Sequence, residues 1–144
     1  MADIDWRELP AKRENYSKVW AHIRQAAEAV HFDDENIARL RLGTEEAFSN
    51  ITKYAYPERE GKIWFRTCIR EEFFSVELID CDGAFNPLSH DEKPADDISL
   101  EDAEVGGLGI FFMRQSFDEI NYKREIFRGQ PANYLTLSLR LKKG

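Results

Sequence analysis

Leu40-Arg41-Leu42-Gly43-Thr44-Glu45-Glu46-Ala47-Phe48-Ser49-Asn50-Ile51-Thr52-Lys53-Tyr54-Ala55-Tyr56-Pro57 is the stretch around which the chain is organised. Leu40, Ala47, Phe48, Ile51 and Ala55 recur at helical spacing and form an apolar stripe. Glu46 and Asn50 stand one helical turn apart, so they project side by side from another face. Pro57 stops the helix, because the residue before a proline is pushed out of the helical region. A carboxylate beside a carboxamide, both next to a buried stripe, offers a base and a metal ligand to one small molecule. By itself this spacing is common on solvated helix edges, so its meaning depends on the rest of the chain.

Upstream, Asp33 and Asp34 are good N-cap residues and predict a start for this helix at about Glu35. From Lys12 to Val30, Tyr16, Val19, Trp20, Ile23, Ala27 and Val30 form one apolar stripe, which predicts a first helix. Residues 3–9 read as extended, and Pro10 ends them.

Downstream, Lys62 to Arg70 alternates: Ile63, Phe65, Thr67 and Ile69 on one side, Lys62, Trp64, Arg66, Cys68 and Arg70 on the other. Glu71-Glu72 makes a tight turn into a second strand, Phe73 to Asp80, so the pair reads as a hairpin. Residues 88–105 are polar, acidic and without period; a loop this long in a small domain is a lid, a binding loop or disorder. Gly106-Gly107-Leu108-Gly109 closes it, and a helix apolar nearly all round begins at once, with Leu108, Ile110, Phe111, Phe112, Met113 and Phe117. Asp118 to Ile126 reads as a strand, residues 127–131 as a turn, and Leu135, Leu137, Leu139 and Leu141 alternate through the last strand. Hairpins imply antiparallel pairing, and helices segregated from them imply an α+β, two-layer sandwich with the helices on one sheet face.

Composition narrows the function. The chain has 144 residues, enough for one domain with a core. A net charge of −7 argues against a surface built for nucleic-acid phosphates or anionic lipid. No apolar run reaches membrane-spanning length, and the acidic start Met1-Ala2-Asp3-Ile4-Asp5 lacks the layout of a signal peptide. Cys68 and Cys81 lie in separate strand-like segments without metal-type spacing, which points to a reducing cytoplasm. His22, His31 and His90 have no partners at ligand spacing.

Three features then stand in order: the Glu46/Asn50 pair, a strand-end Asp80 entering an Asp/Gly turn, and a glycine-rich loop entering a buried helix. Glycines before a helix let backbone N–H groups approach phosphate, and the helix N-terminus adds favourable partial charge. Taken alone, Gly-Gly-x-Gly is equally a plain tight turn. It is not a Walker loop, which needs Lys and Ser/Thr after the glycines, nor a dinucleotide fingerprint, since the strands do not alternate with crossover helices.

Together the three resemble the GHKL, or Bergerat-fold, ATPase superfamily, and within it the anti-sigma-factor serine kinases of the RsbW and SpoIIAB type. Glu46-Ala47-Phe48-Ser49-Asn50 with Tyr54-Ala55-Tyr56-Pro57 resembles the N box. Ile79-Asp80-Cys81-Asp82-Gly83-Ala84-Phe85-Asn86-Pro87-Leu88 resembles the G1 box, and Gly106-Gly107-Leu108-Gly109-Ile110 the G2 box. The resemblance covers roughly residues 10–142 and implies a mixed, mostly antiparallel sheet.

The resemblance also implies roles. Glu46 would be the general base acting on a serine hydroxyl, and Asn50 would bind Mg²⁺ bridging the ATP phosphates. Asp80 would accept a hydrogen bond from the adenine amino group. Ala84, Gly106, Gly107, Leu108 and Gly109 would complete the ATP site, Thr136 would face the nucleotide, and residues 88–105 would be the ATP lid. The implied partners are a STAS-domain antagonist, which is phosphorylated, a sigma factor, which is sequestered, and a second copy of the chain in a homodimer. The chemistry is coherent: a carboxylate near phosphates takes a proton, and a neutral amide oxygen suits a hard cation. One departure is visible: with Phe85 aligned, Asp82 stands where the family commonly has the first G1 glycine and Gly83 is displaced by one. That leaves open a second function, a nucleotide-binding or degenerate partner-holding module without kinase activity.

Overall fold

The computed structural model describes residues 6–52, 61–81 and 114–141. Within them the chain runs β1 (Arg7–Pro10), a 3₁₀ turn (Arg13–Asn15), α1 (Tyr16–Ala29), α2 (Asp34–Asn50), β2 (Lys62–Arg70), β3 (Phe73–Asp80), β4 (Glu119–Phe127) and β5 (Gln130–Arg140).

Local chemistry sets the boundaries. Asp33 caps α2, its Oδ1 accepting the Asn36 backbone N–H at 2.9 Å. Asp34 and Glu35 in the first turn complement the partial positive charge there. His31, at φ 61°, turns the chain between the helices. The expected extension of α2 to Tyr56 is described as far as 52, with 51–52 in a wider, π-type turn; residues 53–57 lie outside the described residues. The β2–β3 turn places Glu71 at φ 57°. The β4–β5 turn uses Arg128 at φ 52° and Gly129 at φ 84°, the left-handed region that glycine enters without steric cost.

The sheet order is β1-β2-β3-β5-β4, and every described pair is antiparallel. The last strand therefore inserts between β3 and β4, and β3 lies at the centre. The register sorts side chains onto two faces. On one face stand Ile63 and Phe65 of β2, Phe74, Val76 and Leu78 of β3, and Leu135, Leu137 and Leu139 of β5. Val19, Ile23 and Ala27 of α1 pack there with Leu40, Ala47 and Phe48 of α2, and Phe117 joins the same core. The architecture is thus α+β with the helices on one sheet face, as the segregation of helices from hairpins predicts.

The other face carries a smaller cluster, in which Ile79, Phe127 and Ala132 pack with Trp6, Trp64 and Tyr134. Arg66 lies over the Trp6 ring at 4.2 Å. Cys68 and Cys81 are both free thiols. Among the described residues no helix is long and apolar enough to cross a membrane.

Candidate nucleotide and group-transfer site

Glu46 lies on α2, half-buried, in the wall of an open groove of about 510 Å³ between the start of α1 and the second half of α2. Tyr16, Trp20, Arg41, Glu45 and Ser49 line the groove with it. Its floor is fixed where the helices meet. The Tyr16 hydroxyl donates to the Arg41 carbonyl at 2.8 Å and lies 2.7 Å from Thr44 Oγ1. Burial pushes the Tyr16 phenol far above its ordinary range, so it stays protonated as a donor. The Arg41 guanidinium lies 6.0 Å from the centre of the Trp20 ring. The groove thus offers a carboxylate at an accessible, partly apolar surface, which suits a hydroxyl presented by another chain.

Asn50 follows one turn later and is buried, at 5% exposure. Its Nδ2 has no hydrogen-bond partner, the one such buried side-chain atom recorded among the described residues. Leaving a buried amide donor unmade costs about 1–3 kcal/mol. A folded protein carries that cost where the group has other work. Among the described residues no three acidic, His or Cys side chains gather as a metal cage. A single amide oxygen fits a cation that arrives with phosphates, because Mg²⁺ keeps waters and phosphate oxygens as most of its ligands.

Asp80 ends β3 on the face that packs against the helices, paired in register with Ile63 and Asn133. It is 5% exposed, and its Oδ1 accepts from Asn133 Nδ2 at 2.9 Å. Asp80 and the buried side of α2 therefore open onto the same interlayer.

Thr136 is not brought to this place. It pairs with Glu77 and Asn121, on the face away from the helices, where Arg66 Nε donates to Glu77 Oε1 at 2.9 Å. The β5 residue that stands beside Asp80 is Asn133. Sequence reasoning missed Asn133, although the signal was present: it shares strand parity with Leu135, Leu137 and Leu139, whereas Thr136 does not. The remaining expected residues, Ala84, Gly106, Gly107, Leu108 and Gly109, lie outside the described residues, as do Asp82, Lys53 and the 88–105 loop.

Serine-protein kinase RsbW of Listeria monocytogenes serovar 1/2a is 29% identical over 117 residues, covering 78% of this chain and 74% of that protein. Serine-protein kinase RsbW of Listeria innocua serovar 6a gives the same identity and coverage. A solved histidine kinase domain, from the Erythrobacter litoralis EL346 blue-light activated histidine kinase, matches with a TM-score of 0.48 at 15% identity, over 92% of this chain and 62% of that one. The sequence profile described as "Histidine kinase-like ATPase domain" matches residues 9–139, from within β1 to the penultimate residue of β5. Since that match takes in both helices, the whole sheet and all three GHKL-type boxes, the chain belongs to the histidine kinase-like ATPase domain family.

Proposed function

We propose that the chain is an ATP-dependent protein serine kinase that phosphorylates a STAS-domain antagonist and sequesters a sigma factor, exchanging one partner for the other. The observation that carries the reading is the placement of Glu46 in an open groove one turn before the buried, unsatisfied Asn50. Kinship with the serine-protein kinases named RsbW supports it.

In this reading Glu46 takes the proton from the serine hydroxyl that enters the groove. Asn50 would hold Mg²⁺, which when bound would supply neutralisation of phosphate charge. Asp80 accepts from the adenine amino group. The ATP-binding roles expected of Ala84, Gly106, Gly107, Leu108 and Gly109, and the lid role expected of residues 88–105, would complete the site. Positioning and charge neutralisation are most of what phosphoryl transfer needs. The protein acts in the cytoplasm as a homodimer.

The test is radiolabel transfer from ATP to a co-encoded STAS protein by the wild type and by Glu46→Ala. The variant is expected to keep ATP binding and lose transfer; undiminished transfer would remove Glu46 from the role of base. The second reading, a partner-holding module without kinase activity, is favoured by Asp82 in place of a G1 glycine. Sigma-factor capture without any label transfer by the wild type would establish it instead.

A further inference from the structure

Arg41 stands in the groove without an acid to balance it. Its carbonyl accepts from the Tyr16 hydroxyl at 2.8 Å, and its guanidinium reaches over the Trp20 ring, 6.0 Å from the ring centre. Tyr16 and Trp20 are one turn apart on α1, so that helix holds Arg41 both at its backbone and at its tip. Arg41 is exposed and, among the described residues, forms no ion pair, although Glu45 lies one turn further along α2. A guanidinium laid over an aromatic face keeps its N–H edge open, and that edge takes a carboxylate through two parallel hydrogen bonds. Holding the group in place beforehand lowers the ordering cost of using it.

The groove is selective about where it accepts negative charge. Glu14, Glu45 and Glu46 line it, against the two cations Arg13 and Arg41. Arg13 is exposed on the turn before α1, whereas Arg41 is held by Tyr16 and Trp20. A carboxylate that enters elsewhere meets its own kind, and one that enters over Trp20 meets Arg41. Arg41 and Glu46 are five residues apart on α2, a rise of about 7.5 Å. Two residues of extended chain span about 7 Å, and their side chains point the same way. A segment that brings a hydroxyl to Glu46 therefore carries the side chain two residues away to Arg41. Leu42, 48% exposed one turn before Glu46, gives that segment an apolar edge to lie along.

We propose that Arg41, steadied by Tyr16 and Trp20, is the specificity residue of the groove, and that it selects a protein segment in which an Asp or Glu stands two residues from the acceptor serine. The proposal rests on the reading of the groove as the place where that serine meets Glu46. The bidentate contact forms when the segment docks and is unchanged by the transfer itself. It therefore acts on capture of the acceptor, which is read in KM, and not on the chemical step, which is read in kcat.

Steady-state transfer from Mg·ATP to the co-encoded STAS protein by the full chain, with the labelled serine located by mass spectrometry, tests the proposal. The labelled serine is expected to have an Asp or Glu two residues away; a serine without one overturns the proposal. Arg41→Gln is expected to raise KM for the STAS protein about tenfold and to change kcat less than about twofold. Arg41→Glu is expected to recover a KM within about threefold of the wild type when the acidic residue of the STAS protein is changed to Arg. A KM for Arg41→Gln within about twofold of the wild type overturns the proposal. So does a fall in kcat at unchanged KM, which marks a fault in α2 and not a lost contact. Where circular dichroism shows Arg41→Gln unfolded, the reverse experiment decides. The wild-type chain then meets a STAS protein whose acidic residue is changed to the matching amide: a tenfold higher KM supports the proposal and an unchanged one overturns it. If the wild type labels no serine at all, the reading of the groove fails and the inference falls with it. If the wild type labels the STAS protein and Arg41→Gln does so with the same KM, the inference alone fails.

Discussion

Gly43, inside α2, lies so close to Phe117 that a Cβ at this position would overlap the ring and stand 2.8 Å from Ser116 Cβ. The glycine lets Ser116 and Phe117 pack directly on the helix that bears Glu46 and Asn50. In an exposed helix Gly→Ala is stabilising by roughly 1 kcal/mol. Here overpacking, at about 1–3 kcal/mol, opposes that gain and involves a Cβ as well as a movable ring. Gly43→Ala is expected to lose about 1–2 kcal/mol in urea unfolding. A stabilised variant would show that the approach is loose.

Tyr16 joins α1 to α2 through the Arg41 carbonyl and Thr44. Tyr16→Phe is expected to cost about 1 kcal/mol, the net worth of a buried neutral hydrogen bond. The pH dependence has a definite sign. Burial raises the folded-state phenol pKa above its ordinary value of about 10. The unfolded chain therefore releases its proton first, and stability is lost as pH rises past about 10. Urea midpoints across alkaline pH should fall less steeply for Tyr16→Phe than for the wild type; parallel curves would count against a buried phenol.

Asn50 joins a stability cost to the ligand role proposed for it. Asn50→Ala removes the donor that has no partner. The relief, about 1–3 kcal/mol, offsets the small void left behind, so stability is expected to stay within about 1 kcal/mol of the wild type or to rise. The Mg²⁺-dependent part of ATP affinity should disappear, as measured by calorimetry with and without the metal. A large loss of stability would mean that the amide holds the fold together.

His22 stands edge-on to Phe65, with ring centres 5.6 Å apart. Desolvation, and secondly the Arg7 charge, lower its pKa below the ordinary 6.5. Titration of the ring by NMR should show a midpoint under 6.5, and Arg7→Met should raise it. Because the unfolded chain takes up the proton first, this residue withdraws stability as pH falls below about 6.5. A midpoint that does not respond to Arg7→Met would remove the charge as a cause.

Much of the fold was legible because period tells helix from strand. The Ile63/Phe65 alternation and the stripe of Val19, Ile23 and Ala27 each name a buried face without any knowledge of partners. The insertion of β5 between β3 and β4 was not legible, since pairing is decided by long-range contacts that leave no local mark. Thr136 shows the same boundary at the level of a site. Resemblance placed it by position along the chain, but the facing of a strand residue depends on whether the count is odd or even. Asn133 and Thr136 are three residues apart and so face opposite ways. The Asn133–Asp80 contact needed the register as well as the parity.

β3 lies in the middle of the sheet, with β2 and β1 on one side and β5 and β4 on the other. The amides of such a strand exchange with solvent only when the largest cooperative unit opens. Asp80 is fastened to the end of that strand. The carboxylate proposed to meet the base is therefore set with the fold itself, and on that reading successive nucleotides would meet a surface already in place.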